Sequence, residues 1–437
     1  MSSIEIRGAT VLTMVEGDQP ITDGVIAATD GVLTYVGPRD GFSPSVSADE
    51  VVEASGCGAM PGFVNAHTHC AMTLMRGWAD DMDLMPWLEE MIWPAEANIT
   101  AADVYWGTML GCVEMLRAGV TCFNDMYHYY ESACRGAMDS GIRACPSGVL
   151  LGILPNAEQM LADSLAYTAD IKALNHPRLH PMLAPHASYT CPDHLLRKVI
   201  EGALDLDVPV HTHVSETKSE VSDSREQHGQ TPVEHLAAIG LFEPRVSAAH
   251  CVWLTDRDIE ILAEHAVGVV HCPGSNLKLA SGIAPVPKLL AAGVHVGLGT
   301  DGTASNNNLD MLEEARLAAL IHKVDKLDPK VINAEQALTM ATRGSAEAIG
   351  LGEVVGSLEV GKRADIAVVD LSAPHLAPGH NLVSDLVYAA RASDVRDTIV
   401  DGVVVMKGRS LTLIDEAEVI AEASRRGKSL VSRVAGS

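Results

Sequence analysis

Basic residues are in short supply. Lys and Arg number 31 against 57 Asp and Glu, a formal net charge of −26. Nucleic-acid affinity rests on Lys and Arg neutralising phosphates, so no nucleic-acid partner is expected. An anionic membrane surface is excluded on the same ground. No run reaches the ~18 apolar residues that a bilayer-spanning helix needs. The opening MSSIEIRGATVLTMVEGDQ has no basic flank leading into an apolar core, so no signal peptide is expected. The nine cysteines are odd in number, scattered and without a CxxC pair. That pattern points to reduced thiols and a cytoplasmic location, which makes the NIT sequon at Asn98 a chance one.

Several catalytic signatures are missing too. HExxH, GxSxG and Walker A sequences are absent, as is the HxE…PCxxC pattern of zinc base deaminases. GLGTDG at 297–302 matches GxGxxG. A dinucleotide loop with Asp301 inside it would set a carboxylate against a pyrophosphate, and the match falls at the last strand of the alternating pattern, not the first.

The hydrophobic content of 47 % is ample for a large core. The two ends read as short strands, with Asp30-Gly31 and Asp401-Gly402 placed as tight hairpin turns. Neither end can bury a core alone, so residues 1–59 and 357–437 are expected to form one composite β-sandwich. Between them, 60–356 alternates apolar runs with amphipathic helical stretches. Eight runs stand out: 62–69, 119–125, 142–148, 180–189, 208–216, 245–251, 267–273 and 294–302. This suggests an α/β fold, a (β/α)₈ TIM barrel, with a doubly wound open sheet as the competitor. A barrel carries its functional residues at the carboxyl ends of its strands. The polar residues fall there: His67 and His69, Asp125, His186, His211 and His213, His250, His271 and Asp301.

His67 and His69, at i and i+2, share one face of a strand, and His211 and His213 repeat the spacing. Three imidazoles and the Asp301 carboxylate can converge on one divalent ion. Zinc suits that donor set best, and iron or manganese also fits. A second metal would need a bridging lysine on the fourth strand, and none lies between Arg178 and Arg197. Glu216, three residues past His213, can move protons at a metal-activated water, and His250 can hydrogen-bond that water.

PGFVNAHTH, HVSET, AAHC, HCPGSNLKLASGIAP and GLGTDGTASNNNLDMLEEARLAA together resemble the amidohydrolase superfamily. The likeness is closest to the branch of 5′-methylthioadenosine/S-adenosylhomocysteine deaminases and s-triazine chlorohydrolases, and it covers nearly the whole chain. The resemblance implies His67, His69, His213 and Asp301 as metal ligands. It implies Glu216, His250 and Asp301 as catalytic groups. IWPAE points to Glu96, and PHASY to His186, as ribose contacts. The loop WADDMDLMPWLEEMIW, ending at Trp93, would cover the base and the 5′ group. The implied activity is hydrolytic deamination of an adenine nucleoside by a homo-oligomer acting on a small molecule. Relatives that accept a homocysteine tail are expected to hold its carboxylate with arginine after the third strand. No arginine occurs from Ala144 to Pro177, which favours a neutral 5′ group. Two rivals remain at this point: an amino- or chlorohydrolase of another N-heterocycle (a guanine derivative, pterin or s-triazine), and a catalytically inactive barrel scaffold.

Overall fold

A computed structural model describes residues 2–43 and 47–435. Each of the eight apolar runs coincides with or overlaps a strand: Phe63–Thr68, Val120–Tyr127, Arg143–Leu150, Ala184–Pro185, Val210–Val214, Val246–His250, Gly268–His271 and Val296–Leu298, called barrel strands 1 to 8 below. Strands 1 to 4 pair in parallel, as do strands 5 to 8. Single parallel bridges, Leu183 to Val210 and Ala187 to His213, join strand 4 to strand 5. At the other seam the Asp301 N–H donates to the His67 carbonyl at 3.0 Å, and the Thr300 N–H donates to Asn65 Oδ1 at 3.0 Å. The sheet therefore closes as a (β/α)₈ barrel, and the open-sheet alternative falls.

Two glycines allow that closure. A Cβ on Gly299 would lie 2.8 Å from the His67 Cβ, and one on Gly302 would lie 2.5 Å from Met72 Sδ. The glycines of GLGTDG thus let strand 8 approach the two histidines of strand 1, a packing role and not a phosphate cradle.

Strands from both ends of the chain form one nine-stranded sheet. Ser3–Val11 pairs with Glu50–Glu53 along its first half and with Cys57–Pro61 along its second. Cys57–Pro61 then pairs with Ile366–Asp370, which joins the N-terminal strands to the C-terminal ones. Both expected hairpin turns form: Asp30 and Gly31 have φ of 49° and 77°, and Asp401 and Gly402 have 56° and 77°, the pair of positive angles that a type I′ turn demands. Buried Arg143 of strand 3 grips Asp365 with two bonds of 2.8 and 2.9 Å and also meets Asp401 at 3.1 Å, tying the barrel to the terminal sheet.

Helix starts are capped by side chains at some positions and not at others. Thr255 caps Asp256–Glu264 in a reciprocal box with Asp258, as TDRD suggests. In CPDHLLRKVI the helix Asp193–Leu206 follows Pro192 without a side-chain cap. The last helix, Glu416–Ala435, leaves the sheet and packs on Ala101–Arg117, where Arg426 and Arg433 both pair with Asp103. Its Leu430 joins Met72, Trp87 and Ile92 in one apolar cluster, so this helix backs the segment that covers the barrel mouth. Among the described residues no helix is long and apolar enough to cross a membrane.

Candidate metal centre and substrate cavity

His67 and His69 turn their Nε2 atoms toward one carboxylate oxygen. Asp301 Oδ1 lies 3.3 Å from His67 Nε2 and 3.2 Å from His69 Nε2. His213 Nε2 stands 3.3 Å from His69 Nε2. The structure thus brings together four residues that the sequence placed far apart, from strands 1 and 5 and the end of strand 8.

The far side of each ring decides what this group can hold. His69 Nδ1 donates to the Met126 carbonyl at 2.7 Å, and His213 Nδ1 donates to the His186 carbonyl at 2.6 Å. A carbonyl only accepts, so each ring carries a proton on Nδ1 and, in its neutral form, presents a bare lone pair at Nε2. Two lone pairs 3.3 Å apart beside a carboxylate require a cation between them. His67 Nε2 is buried without a hydrogen-bond partner, while its Nδ1 lies 2.8 Å from His211 Nε2. His211 therefore stands behind His67 and stays out of the central group. The donor set fits a divalent ion with nitrogen and oxygen ligands.

Protonation tells the same story. Burial drives His67 down to about 4 and His213 well below the ordinary imidazole range. Burial would also depress His69, but the Asp301 carboxylate outweighs it and pushes this ring up to about 9.

Asp301 is held hard in place. Ser275 and Ser305 hydroxyls donate to its Oδ2 at 2.7 and 2.8 Å, leaving Oδ1 for the imidazoles. Its φ is 61°, that of His250 is 70° and that of Ser215 is 52°. Non-glycine residues in this region carry strain of about 1–3 kcal/mol each and gather at functional sites. His250 donates from Nδ1 to Asn276 Oδ1 at 2.9 Å, which aims Nε2 at Glu216 Oε2, 3.7 Å away. Glu216 Oε1 accepts from the Ser281 hydroxyl at 3.2 Å. Burial raises the Glu216 carboxyl. Its backbone is fixed by buried Glu220, whose oxygens accept from the Ser215 and Glu216 N–H groups at 2.9 and 2.7 Å.

A cavity runs from this centre to Glu96. Burial would raise the Glu96 carboxyl, but His128, then His69, hold it below the ordinary range, so it stays ionised. His186 is neutral, lowered to about 3 by burial, and its Nδ1 meets Thr190 Oγ1 at 3.0 Å. The covering segment 84–96 contains a π-helical stretch, Trp87–Ile92. From it Leu84, Trp87, Leu88, Ile92 and Trp93 wall the cavity, as the composition of that loop suggests.

Besides His211, two strand-end residues do not join the site. His271 packs against His322 of Met311–Lys326, with ring centroids 5.2 Å apart. Its neighbours Val270 and Cys272 share a cluster with residues of strands 1 to 4, which only the barrel interior brings together. The pleat therefore turns His271 outward. Asp125 instead accepts from Thr68 Oγ1 at 3.0 Å and the Cys70 N–H at 2.7 Å, pinning the turn after strand 1. Spacing alone pointed to neither the serines on Asp301, nor Asn276, nor His128 beside Glu96. The first three lie within the SNLKL and TDGTASNN blocks without a visible role, and nothing in the sequence marks His128.

Residues 59–405 match the profile of the amidohydrolase family. A 5-methylthioadenosine/S-adenosylhomocysteine deaminase from Pelotomaculum thermopropionicum is 49 % identical over 99 % of this chain and 100 % of its own. A 5′-deoxyadenosine deaminase from Methanosarcina mazei is 45 % identical, over 99 % and 100 %. The crystal structure of an adenosine deaminase from Xanthomonas campestris with bound zinc superposes with a TM-score of 0.94 at 37 % identity, covering 100 % of this chain and 99 % of that one.

Proposed function

The chain belongs to the amidohydrolase family, and on that premise we propose that it removes the 6-amino group of an adenine nucleoside by hydrolysis, giving the inosine product and ammonia. One observation carries this reading. Three imidazole lone pairs and a carboxylate oxygen meet at one end of a cavity whose other end holds an ionised, buried Glu96. A free base needs no such clamp, so Glu96 speaks against a hydrolase of free heterocycles. A dead scaffold would not keep the full donor set.

His67, His69, His213 and Asp301 would hold a single divalent ion, with zinc the best match to three nitrogens and an oxygen. Such an ion, when bound, lowers the pKa of a water toward about 7 and so readies it for attack at neutral pH. The chain's own groups do the rest. Asp301 takes a proton from the attacking water. Glu216 delivers a proton to the purine ring nitrogen and later serves the departing amine. His250 hydrogen-bonds the attacking oxygen through Nε2. Glu96 and His186 hold the ribose, and Trp93 with its neighbours excludes water. The same proposal makes 60–356 the catalytic unit and 1–59 with 357–437 the β-unit. It also places a homo-oligomer in the cytoplasm, which nine buried, unpaired cysteines support. Ammonia release across a panel of purine nucleosides and free bases tests it. Turnover confined to free bases, or none at all, would overturn it.

Two predictions follow from the cavity walls. Glu96→Ala should raise KM for nucleosides while metal content and folding persist, because each hydrogen bond to a charged group contributes about 1.5–3 kcal/mol. A 2′,3′-dideoxy substrate should be poor with the parent enzyme and lose little further with the variant. Equal losses in both proteins would remove Glu96 from the sugar.

The 5′ group should be neutral. Among the described residues no lysine or arginine lines the cavity. Arg117 is paired with Glu416 at 2.7 Å and Arg143 with Asp365 at 2.8 Å, so neither is free to reach in. A carboxylate tail drawn in would lose hydration without gaining a cation. A methylthio group instead gains from burial against apolar walls at ~25 cal/mol per Å². Hence kcat/KM should be higher for 5′-methylthioadenosine than for S-adenosylhomocysteine at one ionic strength. The reverse order would show that a cation reaches the tail.

A further inference from the structure

Tyr127 closes barrel strand 2 and lines the cavity beside Glu96. Its side chain is 2 % exposed, but its hydroxyl has no hydrogen-bond partner among the described residues. Buried hydroxyls are nearly always paired, and an exception calls for a reason.

Hydrogen-bond accounting at Glu96 supplies one. An ionised carboxylate can only accept. A vicinal diol brings two O–H donors, which Glu96 can take, but its two oxygens also carry lone pairs that need donors once water is excluded. The adjacent donors are already engaged. His128 Nε2 faces Glu96 Oε2 at 3.4 Å, and His186 Nδ1 faces Thr190 at 3.0 Å. The Tyr127 O–H is buried on the same wall and approaches Glu96, with no partner within hydrogen-bond distance among the described residues.

We propose that Tyr127 donates a hydrogen bond to a ribose hydroxyl oxygen whose own hydrogen goes to Glu96, making it a specificity-determining substrate contact. This rests on the nucleoside reading above. Burial first, and the Glu96 charge second, raise the phenol well above its ordinary range, so it remains a donor at any working pH.

Tyr127→Phe in the full-length, metal-loaded enzyme tests this contact, since phenylalanine fills the same space. KM for a ribonucleoside should rise about tenfold, the worth of one hydrogen bond to a substrate, with kcat within about twofold. Among the 2′-deoxy and 3′-deoxy analogues, one should be handled equally by both proteins, because it lacks the hydroxyl that Tyr127 contacts. An unchanged KM or an equal loss on every analogue would overturn the proposal. A parent enzyme active on nucleosides with either of those results would sink this inference alone. A parent inactive on every nucleoside would sink the functional reading with it.

Discussion

Asp301→Asn is expected to lower kcat by more than about 100-fold, a loss above ~2.7 kcal/mol of transition-state stabilisation. Bound metal should fall below one ion per chain. The residue is asked to do two things at once. Its Oδ1 faces both imidazoles of strand 1, and its Oδ2 accepts from two serine hydroxyls. An amide has one oxygen, so either the imidazole side or the serine side must meet an N–H₂ group. An amide also carries no charge to hold a cation and is no base for the attacking water. Asparagine is the informative substitution because it tolerates the left-handed backbone at this position, and the N–H that closes the barrel onto His67 is untouched. His213→Ala should likewise abolish turnover by removing a donor. Metal content by elemental analysis and steady-state turnover check both variants. An Asp301→Asn protein keeping more than roughly a hundredth of the parent kcat would remove Asp301 from the centre.

The route from sequence to site was short wherever residue order alone determines direction. His67 and His69, two apart in an extended strand, had to share a face, and both reach Asp301. Asp30-Gly31 and Asp401-Gly402 demanded the positive φ angles that they adopt. Legibility ended where a single residue of register decides which way a side chain points. His250 and His271 both end strands amid similar apolar runs. His250 is the last residue of its strand, still paired with Val214, and its φ of 70° turns the ring toward Asn276 and Glu216. His271 stays paired with Leu298, and the pleat turns it toward His322. The groups that hold the central residues were illegible for another reason. Ser275 and Asn276 sit on the short helix Pro273–Lys278 after strand 7 and Ser305 in the loop after strand 8, and where these segments come to rest depends on contacts made across the barrel mouth. His211 shows the reverse case: its spacing repeats that of the ligand pair, but depth in the barrel sets it behind His67.

Glu216→Gln should lower kcat by about 10²–10⁴-fold, the usual contribution of a positioned general acid or base, while one metal ion per chain remains. The reasoning separates shape from proton. Glutamine keeps the length of the side chain and can still accept from Ser281 at the position of Oε1. The backbone clamp from Glu220 to residues 215 and 216 does not involve the side chain at all. What disappears is a group able to give a proton to the ring nitrogen. The environment suits that task, because burial, the leading cause, raises the Glu216 carboxyl above the ordinary carboxylate range. The linkage sign follows. A carboxyl that binds its proton more tightly when folded than when unfolded lowers stability once pH exceeds both values, and the effect vanishes below the unfolded value near 4.5. Removing the charge should therefore leave the metal-free protein as stable as the parent, or more so, at pH 7–8. The difference should shrink as pH falls toward the unfolded carboxyl value. Activity lost with stability kept or gained is the mark of a catalytic acid placed against the interest of the fold. A variant that melts lower at neutral pH, or one that keeps more than a tenth of the parent kcat, would assign Glu216 a structural role instead.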